Sequence, residues 1–175
     1  AFFERSRFGR AADEYFSRGV VFSCIGASFS ARMTRYAGIV SDAGASVFGD
    51  ESNAVLILMN SSHARTILQA LNPTVNFKIV DVGRLPLVRD SSALIIAEHI
   101  EMLFVEHEAA REAAIEFQRP GPSPWRHAQA WAQLAVDRPE GAPLPPYEPV
   151  YDPEPPTDHL SFAIGVALGR FGANG

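Results

Sequence analysis

Eleven of the chain's thirteen prolines fall within residues 119–158. Proline holds φ at about −65° and has no amide N–H, so it breaks a helix interior or a central strand. One helix fits in this stretch, over about 125–136, between Pro124 and Pro139. The remainder reads as extended or turn-like. A long proline-rich segment of this kind wraps a surface or links domains. Trp125, Trp131, Tyr147 and Tyr151 lie within it and are expected to pack against neighbours. Regular structure must therefore come mainly from residues 1–118 and 159–175.

Charge divides the chain in a similar way. Residues 1–89 carry ten basic and seven acidic side chains, and residues 90–175 carry five basic and thirteen acidic. Such a split points to a polyanion-binding half beside a solvated or protein-docking half. The cations are fourteen arginines and one lysine. Arginine's planar fork suits phosphate and guanine edges, although a high-GC genome produces the same bias. Arg5, Arg7, Arg10 and Arg18 alternate irregularly with Phe2, Phe3, Phe8, Tyr15 and Phe16. This is either a stacking and phosphate-pairing surface or a solvated basic edge whose aromatics enter a core.

Residues 19–86 carry the strongest strand and turn signals. Residues 19–26 are rich in β-branched and aromatic side chains and read as a strand ended by Gly26. Over 27–36, Phe29, Ala31 and Met33 alternate with Ser28, Ser30, Arg32 and Thr34, a period of two with one buried face and one polar face. Hydroxyls and guanidinium groups side by side suit phosphates and base edges; a plain exposed edge strand carries the same pattern. Residues 41–46 form a loop, and Val47-Phe48 restarts a strand. The run 54–59 begins a helix that Asn60-Ser61 interrupts. Ser61 or Ser62 then caps a second helix over 63–71, and Asn72-Pro73 stops it. Alternation over 74–82 predicts another strand, with Asn76 and Lys78 on its more polar face.

Ser91 or Ser92 is expected to cap a long amphipathic helix over 93–117. Leu94, Ile95, Ile96, Ile100, Leu103 and Phe104 would form its inner face, and its glutamates the outer one. Thr157 or Asp158 would cap a last helix over 159–171, with Leu160, Ala163, Ile164, Ala167, Leu168 and Phe171 on one packing stripe. The organisation expected is residues 1–89 as a β-rich module, 90–118 as a long helix, 119–158 as a proline-rich wrap and 159–175 as a C-terminal helix. The fold class is α+β.

Catalytic chemistry is hard to find. One cysteine, Cys24, excludes an internal disulfide and a cysteine-rich zinc site, and its apolar run suggests a buried, inert thiol. His107 lies in His-Glu-Ala-Ala-Arg, without the second histidine that HExxH needs, so no metal site is expected. No GxxxxGK[ST] and no GxGxxG after a strand is present. Leu144-Pro145-Pro146-Tyr147 echoes the Asn/Asp-Pro-Pro-Tyr loop of amino-methyltransferases, but Leu144 cannot accept a hydrogen bond from a target amine. No apolar run approaches the ~20 residues of a membrane span and no signal peptide is visible, so a cytoplasmic protein without a membrane partner is expected. Ala1-Phe2-Phe3 starts in mid-pattern without an initiator methionine, and the expectation is a piece of a longer protein.

Five motifs occur in order: Gly19-Val-Val-Phe-Ser, Phe29-Ser-Ala-Arg32, Leu58-Met-Asn60-Ser61, Asn72-Pro-Thr-Val-Asn76-Phe77 and Asp81-Val-Gly-Arg-Leu85-Pro86. Together they resemble the target-recognition region of large adenine-specific DNA methyltransferases, those of BREX and DISARM phage defence and the fused type IIG restriction–methylation enzymes. Leu160-Ser-Phe-Ala-Ile-Gly165-Val-Ala-Leu-Gly169-Arg170-Phe171 is similar to a segment that follows this region in the BREX-type enzymes. The resemblance covers about residues 1–90 and 157–175 and leaves the proline-rich middle unmatched. It implies a module that binds double-stranded DNA, with S-adenosylmethionine and the catalytic loop in a methyltransferase domain of the same protein. No catalytic, cofactor-binding or metal residue is assigned in this chain. The DNA contacts expected are Ser28, Ser30, Arg32, Arg35 and Tyr36, then Asn76, Lys78, Arg5 and Arg7. Two other classes stand beside this one. They are a protein-interaction module that docks a partner subunit through the acidic helix and proline-rich segment, and a small enzyme with a dispersed site.

Overall fold

The computed structural model describes residues 16–38 and 44–171. The fold is α+β: a three-stranded antiparallel sheet and six helices among the described residues. The strands are β1 (Val20–Phe22), β2 (Ala31–Met33) and β3 (Ser46–Val47), in the order β2-β1-β3. The helices are α1 (Ser52–Asn60), α2 (Ser62–Leu71), α3 (Ile79–Val82), α4 (Ala93–Ala110), α5 (Trp125–Asp137) and α6 (Pro156–Ala167). The chain divides into two compact units, Ala1–Ala97 with Val136–Gly141, and Glu98–Ala135 with Ala142–Gly175.

In the first unit β1 pairs on both sides, Val20 opposite Met33 and Val47, Val21 opposite Arg32 and Ser46. Successive strand residues face opposite sides, so Val20 and Phe22 enter the core while Val21 faces out. The core joins Val20, Phe22, Phe29 and Val47 to Val55, Met59, Leu68 and Val82. Gly19 lets β3 come close: a Cβ there would stand 2.6 Å from Phe48 Cδ1 and 2.7 Å from the Val47 oxygen. Ser61 separates α1 from α2 as expected. Its extended backbone ends α1, its Oγ accepts from the Ala64 N–H at 3.1 Å, and its hydroxyl donates to Leu58 O at 2.7 Å. The short return Val136–Gly141 is tied to this unit by charge-assisted bonds. Asp137 Oδ1 accepts from the Ser62 N–H and hydroxyl, and Arg138 Nη2 lies 3.1 and 3.0 Å from the two Asp90 oxygens. The Ser92 N–H, then Arg138, holds the Asp90 carboxyl below its usual range.

The strand predicted over 74–82 does not form. Asn72 takes control of the local backbone: its Oδ1 accepts from the Thr74 N–H and hydroxyl, and its Nδ2 donates to Asn76 O. Asn76 makes one isolated bridge to Ile25, and from Lys78 the chain turns into α3. Phe77, Val82 and Leu85 are buried, whereas Val75 and Val80 are 58% and 67% exposed. That burial follows a bend and a helical turn, which a period-two pattern over nine residues cannot encode.

In the second unit the helix predicted to reach 117 stops at Ala110. Glu108, expected on the outer face, is buried and forked by Arg111 at 3.2 and 3.0 Å. The chain then folds back, Gln118 N–H donating to Ala109 O, and brings Phe117 edge-on to Phe162 and Phe171. The proline-rich stretch packs, as its aromatics suggested. Trp131 is buried and its Nε1–H donates to Pro145 O at 3.0 Å. Tyr147 meets the rings of His99 and Trp131, and Ser123 and Asp152 exchange two backbone hydrogen bonds of 2.9 Å. The last helix starts at Pro156 with Pro155 in the N-cap position and no side-chain cap, so neither Thr157 nor Asp158 caps it. Its expected packing stripe faces out: Leu160, Ile164 and Leu168 are 64%, 52% and 80% exposed. Gly165 is its buried residue, against the Phe171 ring.

Candidate nucleic-acid interface

The ribbon 28–36 keeps the alternation of its sequence. Phe29 is buried at 5.6 Å from the Phe22 ring and 5.0 Å from the Phe77 ring. Burying one aromatic ring of this kind stabilises by about 1.5–3 kcal/mol, and it forces its neighbours outward. Ser28, Ser30 and Arg32 are exposed. The register puts Arg32, Val21 and Ser46 opposite one another across three strands, so they form one row on the outer face of the sheet. No ion-pair partner for Arg32 occurs among the described residues.

The end of the ribbon adds more cations and aromatics. Arg35 is half-buried, with its guanidinium carbon 5.9 Å from the Tyr36 ring centre, and Tyr36 is 59% exposed. Arg18, outside the set expected to touch DNA, donates from Nε to Thr34 O at 3.3 Å. The Thr34 hydroxyl in turn accepts from the Gly19 N–H at 2.8 Å. These bonds place three arginines, Arg18, Arg32 and Arg35, on two adjoining stretches of chain. Phe16 is 64% exposed and holds a left-handed backbone (φ 66°), with its N–H bonded to Gly38 O. An aromatic residue in that region costs about 1–3 kcal/mol of strain. Exposed aromatics beside arginines can stack bases and pair phosphates.

Asn76 and Lys78 are both exposed. They do not share a strand face, because Lys78 is the residue that opens α3. Asn76 is nevertheless brought beside the ribbon's approach. Gly26 N–H donates to Val75 O, and Phe77 N–H donates to Cys24 O. Cys24 is half-buried against the core rather than fully enclosed. Arg5 and Arg7 lie outside the described residues. Two further cations of this unit form ion pairs, Arg84 with Asp81 and Arg89 with Glu51.

The second unit holds a constellation that resembles a nucleophile and base. Ser123 Oγ lies 2.5 Å from His107 Nδ1, and Glu108 Oε1 lies 3.9 Å from His107 Nε2. Burial, however, pushes the His107 imidazole below its ordinary range, and Arg111 already holds the Glu108 carboxylate. Ser123 Oγ also accepts at 3.3 Å from the N–H of Trp125, the first residue of α5. Among the described residues no cluster of three or more metal-ligating side chains occurs, and no helix is long and apolar enough to cross a membrane.

Sequence patterns put Thr34 on the ribbon's polar face and Asn60 at the break between two helices, but not the bonds these residues make to Gly19 and Ala31, far away in sequence. No family model and no curated protein matches this chain.

Proposed function

We propose that the first unit is a DNA target-recognition module of a site-specific N6-adenine DNA methyltransferase, of the phage-defence or restriction–modification kind. The observation that carries this is the exposed surface of the ribbon, where Ser28 and Ser30, just before β2, and Arg32, on it, are exposed near Arg18, Arg35 and Tyr36. Arginines there neutralise phosphates, which gives affinity and salt dependence. A few hydroxyl and guanidinium donors read base edges, with Arg32 the best placed because it stands on the regular strand. Asn76 and Lys78 supply further contacts at the adjoining loop.

The connection from β3 into α1 runs through Gly49-Asp50-Glu51, with one glycine and two acids, and is not the glycine-rich turn that would suit S-adenosylmethionine. Methyl transfer is therefore assigned to a catalytic domain other than these residues, and this chain's share is to bind duplex DNA and set its register. Titration of a labelled mixed-sequence duplex at graded salt tests the proposal. Binding whose log K falls steeply with log salt supports it, and no binding at low salt refutes it.

A second reading has one observation in its favour, the exposed Leu160, Ile164 and Leu168 of α6. In that reading the helical, proline-rich unit docks a partner subunit. Retained docking with no DNA affinity would favour it over the first.

A further inference from the structure

β2 is an edge strand, since the sheet order is β2-β1-β3. Ser30 O accepts from the Ser23 N–H and the Thr34 N–H donates to Gly19 O, so the even-numbered residues bond toward β1. The N–H and C=O of Ala31 therefore point to the open side. An edge of that kind is usually left to water or covered by other structure. At Ala31 the cover is one side chain. Asn60 Oδ1 accepts the Ala31 N–H at 3.1 Å, and Asn60 Nδ2 donates to Ala31 O at 2.9 Å.

This pairs both backbone groups of one residue, as the facing residue of an antiparallel hydrogen-bonded pair does. The amide is itself held, because Nδ2 also donates to Leu56 O at 2.9 Å, one turn back in α1. Its anchor is firm, with Leu58 and Met59 of that turn both buried. Ala31 lies between Ser30 and Arg32, both exposed on the ribbon's outer face.

We infer that Asn60 is a positioning residue for DNA recognition: its amide clamps β2 at Ala31 and so fixes how Ser30 and Arg32 are presented. The inference rests on the DNA-binding function proposed above. The chemistry is specific to a carboxamide. Aspartate keeps an acceptor for the Ala31 N–H but loses both donors and sets a charge against two carbonyl oxygens. Alanine loses all three bonds.

The test is a double-mutant cycle on the full chain with Asn60→Ala, Arg32→Ala and the pair, read by anisotropy of a fluorescein-labelled mixed-sequence duplex. Amide exchange is measured at Ala31 and, as an internal reference, at Leu68. Asn60→Ala should speed exchange at Ala31 by roughly tenfold or more and leave Leu68 protected. It should weaken DNA binding about fivefold to tenfold with Arg32 present and less than about twofold when Arg32 is already alanine. Equal losses in both backgrounds overturn the positioning role, because a general loss of structure does not depend on Arg32. Unchanged exchange at Ala31 overturns the clamp itself. If wild-type chain binds no duplex, the proposed function fails and the positioning role with it, and exchange alone then decides whether the clamp exists. If Asn60→Ala does not fold, Asn60→Ser takes its place with the same criteria.

Discussion

Replacing Ser61 by alanine removes two interactions of one buried hydroxyl. The Oγ accepts from the Ala64 N–H at 3.1 Å and its proton goes to Leu58 O at 2.7 Å. Loss of a helix N-cap of this type costs about 1 kcal/mol. Here Ala64 is fully buried, so water cannot take over its N–H, and the unsatisfied donor adds about 1 kcal/mol more. The expected loss for Ser61→Ala is therefore about 2 kcal/mol, while Ser61→Thr, which keeps the hydroxyl, should lose less than about 0.5 kcal/mol. Urea unfolding followed by circular dichroism measures both, with amide exchange at Ala64 to localise the effect. A loss below about 0.5 kcal/mol for alanine, or equal losses for the two variants, would refute the argument that one hydroxyl joins the two helices.

Gly19→Ala should destabilise by about 1–3 kcal/mol, because the new Cβ meets the Val47 carbonyl oxygen, which cannot move without shifting β3; urea unfolding checks it. Trp131→Phe removes the Nε1–H bond to Pro145 O and part of a buried ring packed against His99 and Tyr147. It should cost about 1.5–4 kcal/mol and raise the protease sensitivity of residues 142–152. His107 is pushed below the usual histidine value of 6.5 mainly by burial, against an upward pull from Glu108. Near pH 6 the unfolded chain then binds more protons, so stability present above pH 6.5 should fall as the pH drops through and below it. His107→Gln should flatten that slope in pH-resolved unfolding.

Local signals explain how much of the fold was legible. β1, the break at Asn60-Ser61, the helix over 125–136 and the buried Phe29 among exposed serines all follow from patterns within a few residues. Local pattern misleads at 74–82, where alternation looked strand-like but Asn72 side-chain bonds bend the backbone first. It misleads again at the end of α4, because the Glu108–Arg111 pair and the Phe117 ring packing form only in the folded chain. The stripe on α6 was read correctly as periodic and wrongly as packed, since periodicity does not say what lies opposite. In the site, residue types were visible but their arrangement was not. The row of Arg32, Val21 and Ser46 needs the strand register, and the Asn60 clamp joins residues 29 positions apart.

The central claim is that the ribbon binds duplex DNA, and the salt dependence of that binding tests it most directly. Wild-type chain should show a steep linear fall of log K with log salt. Replacing Arg32 and Arg35 by alanine should weaken binding by about 1–3 kcal/mol for each arginine that reads a base edge, or reduce the slope by about 1 for each that neutralises a phosphate. Binding that is absent at low salt, or that both substitutions leave unaltered, would contradict the account.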